Sequence, residues 1–230
     1  MPTMTAIELR ARDWLAAYGL LFCLRELDRG FLRRAVRRST KVCIEGYPRS
    51  ANSYALLAFR RWNPGLRVAN HLHTPLQITR AVKLGIPCAV LIRPPVDAVA
   101  SVLVMERERI SDTAAYRAYI HFYSRSLRVR DRVVVAPFED VTRDPAAMVD
   151  RINALYGTAF AAEPLSEKVD AELRAELEAR PAARGLPPTS YPAPSPEKDR
   201  RNAEVKHRVA AHPLREAAER LHSAWVGGRS

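Results

Sequence analysis

The chain has 230 residues, 47% hydrophobic and 27% charged, ordinary proportions for one globular domain with a buried core. Its 37 basic residues against 25 acidic ones give a formal charge of +12, which points to an anionic partner: a nucleotide, a sulfated or acidic glycan, a membrane surface or nucleic acid. The basic residues are spread over the whole chain and no DNA- or RNA-binding module is recognisable, which argues against nucleic acid.

Residues 1–40 read as one long helix or two shorter ones. Trp14, Leu15, Tyr18, Leu21 and Phe22 recur at helical spacing, surrounded by arginines such as Arg10, Arg25 and Arg33. Glu8 and Asp13 do not suit a signal peptide. The apolar stretch from Trp14 to Leu24 falls short of the ~20 residues that span a bilayer. A helix packed on the domain is the plainest reading, and peripheral membrane contact or a dimer contact through it stays open. The oligomeric state is not legible.

Val42-Cys43-Ile44 is an apolar run suited to a buried strand. Gly46-Tyr47-Pro48-Arg49-Ser50 breaks it, because Pro48 has no N–H and Gly46 favours a turn. From Asn52 the pattern turns helical, with Ala55, Leu56, Ala58 and Phe59. A strand, a turn carrying hydroxyls and a cation, then a helix start make a cradle for an anion. A second short strand is expected over Leu66–Ala69, then His71, His73 and a helix from Pro75 to Leu84. Ile86–Ile92 reads as the next buried strand and stops at Arg93-Pro94-Pro95. A helix is expected over Asp97–Met105 and another over 112–129. Val133–Ala136 is a further strand, with Pro145–Leu155 a helix closed by Gly157.

Residues 164–180 are charged and helical, and the proline-rich stretch 180–196 reads as a loop or lid. Ser195 and Pro196 suit the start of a last helical region, which Pro213 divides. Strands alternating with helices predict an α/β fold: one domain over residues 1–230, P-loop-like and three-layered, with a central parallel sheet flanked by helices. The strand tips carrying Gly46, Arg93 and Phe138 should then meet at one carboxyl edge. Cys23, Cys43 and Cys88 are far apart, show no metal-ligand spacing, and fit a reducing, cytoplasmic setting.

Against the phosphate loop G-x-x-x-x-G-K-[ST], Gly46 fits the first glycine and Ser53 the last hydroxyl, while Ala51 and Asn52 replace the second glycine and the lysine. The cation has moved to Arg49. Tyr47-Pro48-Arg49-Ser50-Ala51-Asn52-Ser53-Tyr54 resembles instead the 5′-phosphosulfate loop of sulfotransferases that use 3′-phosphoadenosine 5′-phosphosulfate (PAPS), with Ala51 in place of glycine. Arg93 and Ser101, eight positions apart, resemble the same family's 3′-phosphate site. Phe138-Glu139-Asp140-Val141 with Asp144-Pro145 resembles a third family segment, whose tyrosine approaches adenine; Phe138 keeps the ring and loses the hydroxyl. His73-Thr74-Pro75 is similar to the segment holding the family's catalytic histidine.

The resemblance implies that Arg49, Ser50, Ala51, Asn52 and Ser53 hold the 5′-phosphosulfate. Arg93 and Ser101 would hold the 3′-phosphate, with Tyr54 and Phe138 flanking adenine. His73 is the expected base, with His71 as the other candidate, and Arg49 stabilises the leaving group. PAPS would be the co-substrate, with no metal, and the acceptor a small molecule, lipid or carbohydrate. The lid and the helix around Tyr116–Tyr123 are expected to shape the acceptor's pocket. The family's C-terminal Arg-Lys-Gly segment is missing; Lys198, Arg200 or Arg201 could stand in for it. Two other readings remain: a P-loop kinase or nucleotide hydrolase, and a non-catalytic nucleotide- or glycan-binding protein.

Overall fold

The computed structural model describes residues 31–182 and 196–228. The expected helix over 1–40, apart from its last residues, and nearly all of the expected lid lie outside them. In chain order the elements are α1 (Phe31–Arg34), β1 (Val42–Gly46), α2 (Asn52–Trp62), β2 (Val68–Asn70), α3 (Pro75–Lys83), β3 (Cys88–Ile92), α4 (Pro95–Met105) and α5 (Asp112–Ser126). A 3-10 turn (Leu127–Arg132) leads to β4 (Val134–Pro137), α6 (Phe138–Arg143), α7 (Pro145–Tyr156), α8 (Glu167–Ala182), α9 (Pro196–Ala210) and α10 (Arg215–Val226).

The four strands form one parallel sheet in the order β2-β1-β3-β4. Every strand position is buried, as expected of a parallel sheet covered on both faces. Alternate residues supply two separate cores. Cys43, Ala69, Val90, Ile92 and Val135 face a layer built from α3, α4, α5, α9 and α10. Val42, Ile44, Val68, Leu91 and Val134 face α2, α7 and α8. The period of two thus gives a three-layer α/β fold. The register sets Cys43 opposite Cys88, both buried free thiols, a pairing that their separation in sequence conceals.

Several boundaries differ from the sequence expectation for local reasons. Two prolines start α4 earlier, with Pro94 at the cap and Pro95 in the first turn. α5 ends at Ser126, whose hydroxyl donates to the Phe122 carbonyl at 2.7 Å and competes with the helix ladder. Pro137, unable to donate to the ladder, ends β4, so Phe138–Asp140 opens a short helix instead of extending the strand. Among the described residues no helix is long and apolar enough to cross a membrane.

From β1 the chain moves outward to β2, then returns to the other side of β1 for β3. The winding therefore reverses at β1. In open α/β sheets, ligands bind in the crevice beyond the carboxyl ends of the strands at such a reversal. The segments following β1 and β3 meet there.

Candidate functional site

Gly46 closes β1 beside Leu91. A Cβ on Gly46 would lie 2.5 Å from the Leu91 carbonyl oxygen and 3.2 Å from Asn52 Oδ1, so only glycine lets β1 approach β3 and the start of α2 this closely. The loop that follows is anchored from below. Tyr47 donates its hydroxyl to the Ala115 carbonyl at 3.1 Å, and its N–H donates to the Tyr123 hydroxyl at 3.4 Å. Burial pushes the Tyr47 phenol well above its ordinary range. Asn52 Nδ2 donates back to the Tyr47 carbonyl at 3.0 Å and closes the loop.

Arg49 and Ala51 both hold φ at 68°, the left-handed region that costs a non-glycine residue strain. Ala51 is the N-cap of α2 and supplies no side-chain cap, so the first amides of α2 open into the loop. Ser50 Oγ is fully buried and makes no well-formed hydrogen bond, although it lies close enough to Tyr123 to influence its phenol. A buried hydroxyl left over in a cationic loop suits an anionic ligand.

Arg49 Nε donates to Ser101 Oγ at 3.0 Å, tying the loop to α4. Arg93 Nη1 donates to the Arg49 carbonyl at 3.1 Å, and the Tyr119 hydroxyl donates to the Arg93 carbonyl at 2.9 Å. The Arg93 guanidinium lies over the Phe138 ring, 4.1 Å from its centroid. Burial, and next the charge of Arg93, bring Arg49 down to about 10. Burial lowers Arg93 too, against the opposing pull of Asp97 and Glu139. Both remain protonated at neutral pH, which concentrates positive charge between the loop and β3. On the first turn of α4, between Arg93 and Ser101, Asp97 pairs with Lys206 of α9. Of the cations proposed to replace the missing C-terminal segment, Arg200 and Arg201 are exposed on α9.

The far wall is the loop after β2. Glu45, fully buried in β1, accepts from the Leu72 and His73 N–H groups, each at 2.9 Å. His71 and His73 take φ values of 54° and 51°, and their rings meet edge to face, 5.6 Å between centroids. His73 Nδ1 lies 2.8 Å from the Gly46 carbonyl, which can only accept. The proton therefore sits on Nδ1 and the lone pair on Nε2. Burial drives His73 down to about 4; the Gly46 carbonyl opposes this and Arg34 adds to it. His73 is neutral at physiological pH, the state a general base requires. His71 Nε2 is 3.0 Å from Ser53 Oγ.

The expected site residues thus group around one loop. Arg49, Ser101, Arg93 and Phe138 form one connected set, while Ser53, His71 and His73 form another across the start of α2. Tyr54 turns to the opposite core, where its hydroxyl donates to Asp170 at 2.7 Å and Arg174 Nε donates to the same carboxylate at 2.8 Å. Burial and then Asp170 raise the Tyr54 phenol. Tyr116, Tyr119 and Tyr123 are fully buried props: their hydroxyls donate to the carbonyls of Val209, Arg93 and Leu91. Sequence reading missed Glu45, Asn70, Asp170 and Arg174. Glu45 did carry a signal, since a carboxylate inside an apolar strand must find donors.

No protein-family model and no curated protein matches the chain. Among solved structures, the chain is similar to the mouse sulfotransferase SULT7A1 complexed with PAP, at 12% identity and a TM-score of 0.42, over 87% of this chain and 92% of that one. The likeness is loose, and the functional reading rests on the residues of this chain.

Proposed function

We propose that this protein is a sulfotransferase that moves a sulfuryl group from PAPS to a hydroxyl or amine of a small-molecule, lipid or carbohydrate acceptor. The observation that carries the reading is the contact between Arg49 and Ser101 at 3.0 Å, with Arg93 bonded to the Arg49 backbone. It joins the loop that resembles a 5′-phosphosulfate site to the pair that resembles a 3′-phosphate site. The residues suit such a donor: two guanidiniums, uncapped helix amides and a buried spare hydroxyl. Ser50, Ala51, Asn52 and Ser53 would hold the 5′ end, and Arg93 with Ser101 the 3′-phosphate. Phe138, already under the Arg93 guanidinium, offers a face to the base.

The chemistry is an in-line displacement. The acceptor oxygen or nitrogen forms a bond to sulfur as the bond from sulfur to the 5′-phosphate oxygen breaks. The acceptor's proton passes to His73 Nε2. Arg49 and the loop amides stabilise the charge that gathers on the departing oxygen, an interaction that matters most in the transition state.

The test is transfer of label from radiolabelled PAPS to pools of phenols, alcohols, amines, lipids and glycans in the presence of EDTA. The expected outcome is EDTA-resistant transfer that His73→Ala and Arg49→Ala each reduce by about 10²–10⁴-fold. Transfer from γ-labelled ATP that depends on Mg²⁺ would favour the kinase reading instead. Normal rates in both variants would leave the proposed roles without support.

A further inference from the structure

The donor reading leaves one hydrogen-bonded array unassigned: Ser53 Oγ to His71 Nε2 at 3.0 Å, and His71 Nδ1 to Asn70 Oδ1 at 2.9 Å. Chemistry fixes the direction of each bond. Asn70 Nδ2 donates to the Val68 carbonyl at 2.8 Å, so the amide oxygen is the atom turned to His71, and it must accept. His71 therefore carries its proton on Nδ1, and in the neutral ring Nε2 is an acceptor. The Ser53 hydroxyl then commits its one proton to His71. Toward an anion it presents only lone pairs.

That is the wrong polarity for its position. Ser53 is the second residue of α2, on the lip of the cradle, beside helix-start amides that favour negative charge. A second proton on His71 removes the conflict. The imidazolium Nε2–H donates to Ser53 Oγ, the hydroxyl proton turns to the anion, and the wall gains a positive charge.

We propose that His71 is a proton-taking residue of the donor site: binding of the 5′-phosphate group draws one proton from solvent onto His71 Nε2 and reverses the Ser53–His71 hydrogen bond. The inference rests on the donor reading above. Charged and titratable groups act on His71 from each neighbouring element. Glu45 of β1, which holds the next two amides, favours the imidazolium. Arg34 of α1, whose charge acts on the adjoining His73, opposes it. His73, facing it edge to face, is neutral. An arriving phosphate adds the negative charge that tips this balance.

The test uses the whole protein and 3′-phosphoadenosine 5′-phosphate, titrated calorimetrically in buffers of low and high protonation enthalpy. Between about pH 6.5 and 8.5 the ligand's phosphates are already largely ionised, with a second pKa of ~6. Neither Arg49, at about 10, nor His73, at about 4, titrates in that window. The expected result is uptake of up to about one proton, with affinity weakening by as much as about tenfold per pH unit. His71→Asn, which keeps a hydrogen-bonding side chain but cannot titrate, should bind with no uptake and a flat profile. Adenosine 3′-phosphate, which lacks the 5′ group, should bind wild type without uptake, a comparison that needs no variant. Wild-type binding without proton uptake overturns the inference and leaves the donor reading standing. So does uptake that persists in His71→Asn or with adenosine 3′-phosphate. Failure of 3′-phosphoadenosine 5′-phosphate to bind at any pH overturns the donor reading and this inference together.

Discussion

Glu45→Gln takes one acceptor away from beneath the histidine loop. Both oxygens of the wild-type side chain accept backbone N–H groups at 2.9 Å, so the side chain is held as a carboxylate. Glutamine keeps the shape but turns an NH₂ group toward one of those N–H donors. Losing one charge-assisted bond costs about 1.5–3 kcal/mol, and losing both about 3–6 kcal/mol. Against this stands the strain of His71 and His73 at φ 54° and 51°, about 1–2 kcal/mol per residue and about 2–4 kcal/mol for the pair. If the loop keeps its shape, the variant loses one bond. If it relaxes, it loses both and recovers the strain. The cheaper route sets the net loss, about 1.5 kcal/mol at mid-range values and at most about 3 kcal/mol. Urea denaturation followed by circular dichroism measures it directly. Relaxation would also displace His73, so the transfer rate should fall. A variant within ~0.5 kcal/mol of wild type would refute the role given to Glu45, since surface substitutions away from such features do no more.

Gly46→Ala should destabilise the fold by about 1–3 kcal/mol by overpacking, because the new methyl meets a backbone carbonyl at 2.5 Å; a thermal melt unchanged from wild type would contradict the close approach. Ala51→Gly relieves a left-handed residue at φ 68°, a gain of ~1–2 kcal/mol offset by ~0.4–1 kcal/mol of unfolded-state entropy. The variant should match wild type in denaturant or exceed it by up to about 1.6 kcal/mol, and clear destabilisation would be inconsistent with the strain. His73 sits at about 4 in the fold against 6.5 when unfolded. The unfolded state therefore binds more protons between those values, and the stability His73 contributes is present above pH 6.5 and lost as pH falls toward 4. Denaturation midpoints over that range should fall more steeply for wild type than for His73→Gln, and equal slopes would show that His73 is not shifted.

Much of the fold was legible because a parallel sheet buried on both faces writes its strands as apolar runs. Val42–Ile44, Cys88–Ile92 and Val133–Ala136 all stand out on that criterion, and Pro75 and Pro145 mark helix starts. The ends were less legible where one side chain decides them, as Ser126 does for α5 and Pro137 for β4. In the candidate site, the loop from Tyr47 to Tyr54 and the pair Arg93 and Ser101 show as local spacing. Their direct contact does not, because it depends on β1 and β3 being neighbours in the sheet. Asp170 reaches Tyr54 across 116 positions of sequence, and no local pattern announces such a bond. The tyrosines of α5 were legible as a periodic set, but not as props. Periodicity shows which face is buried without showing what each hydroxyl will meet.

The central claim is that Arg93 and Ser101 form a 3′-phosphate site continuous with the loop around Arg49. Calorimetric titration of the wild type with 3′-phosphoadenosine 5′-phosphate and with ADP, repeated on Arg93→Ala, tests it most directly. The account predicts that wild type binds the 3′-phosphorylated ligand more tightly, and that Arg93→Ala erases the preference at a cost of about 1.5–3 kcal/mol, roughly 10–150-fold in Kd. Equal wild-type affinity for ADP, or a preference that survives in Arg93→Ala, would contradict it.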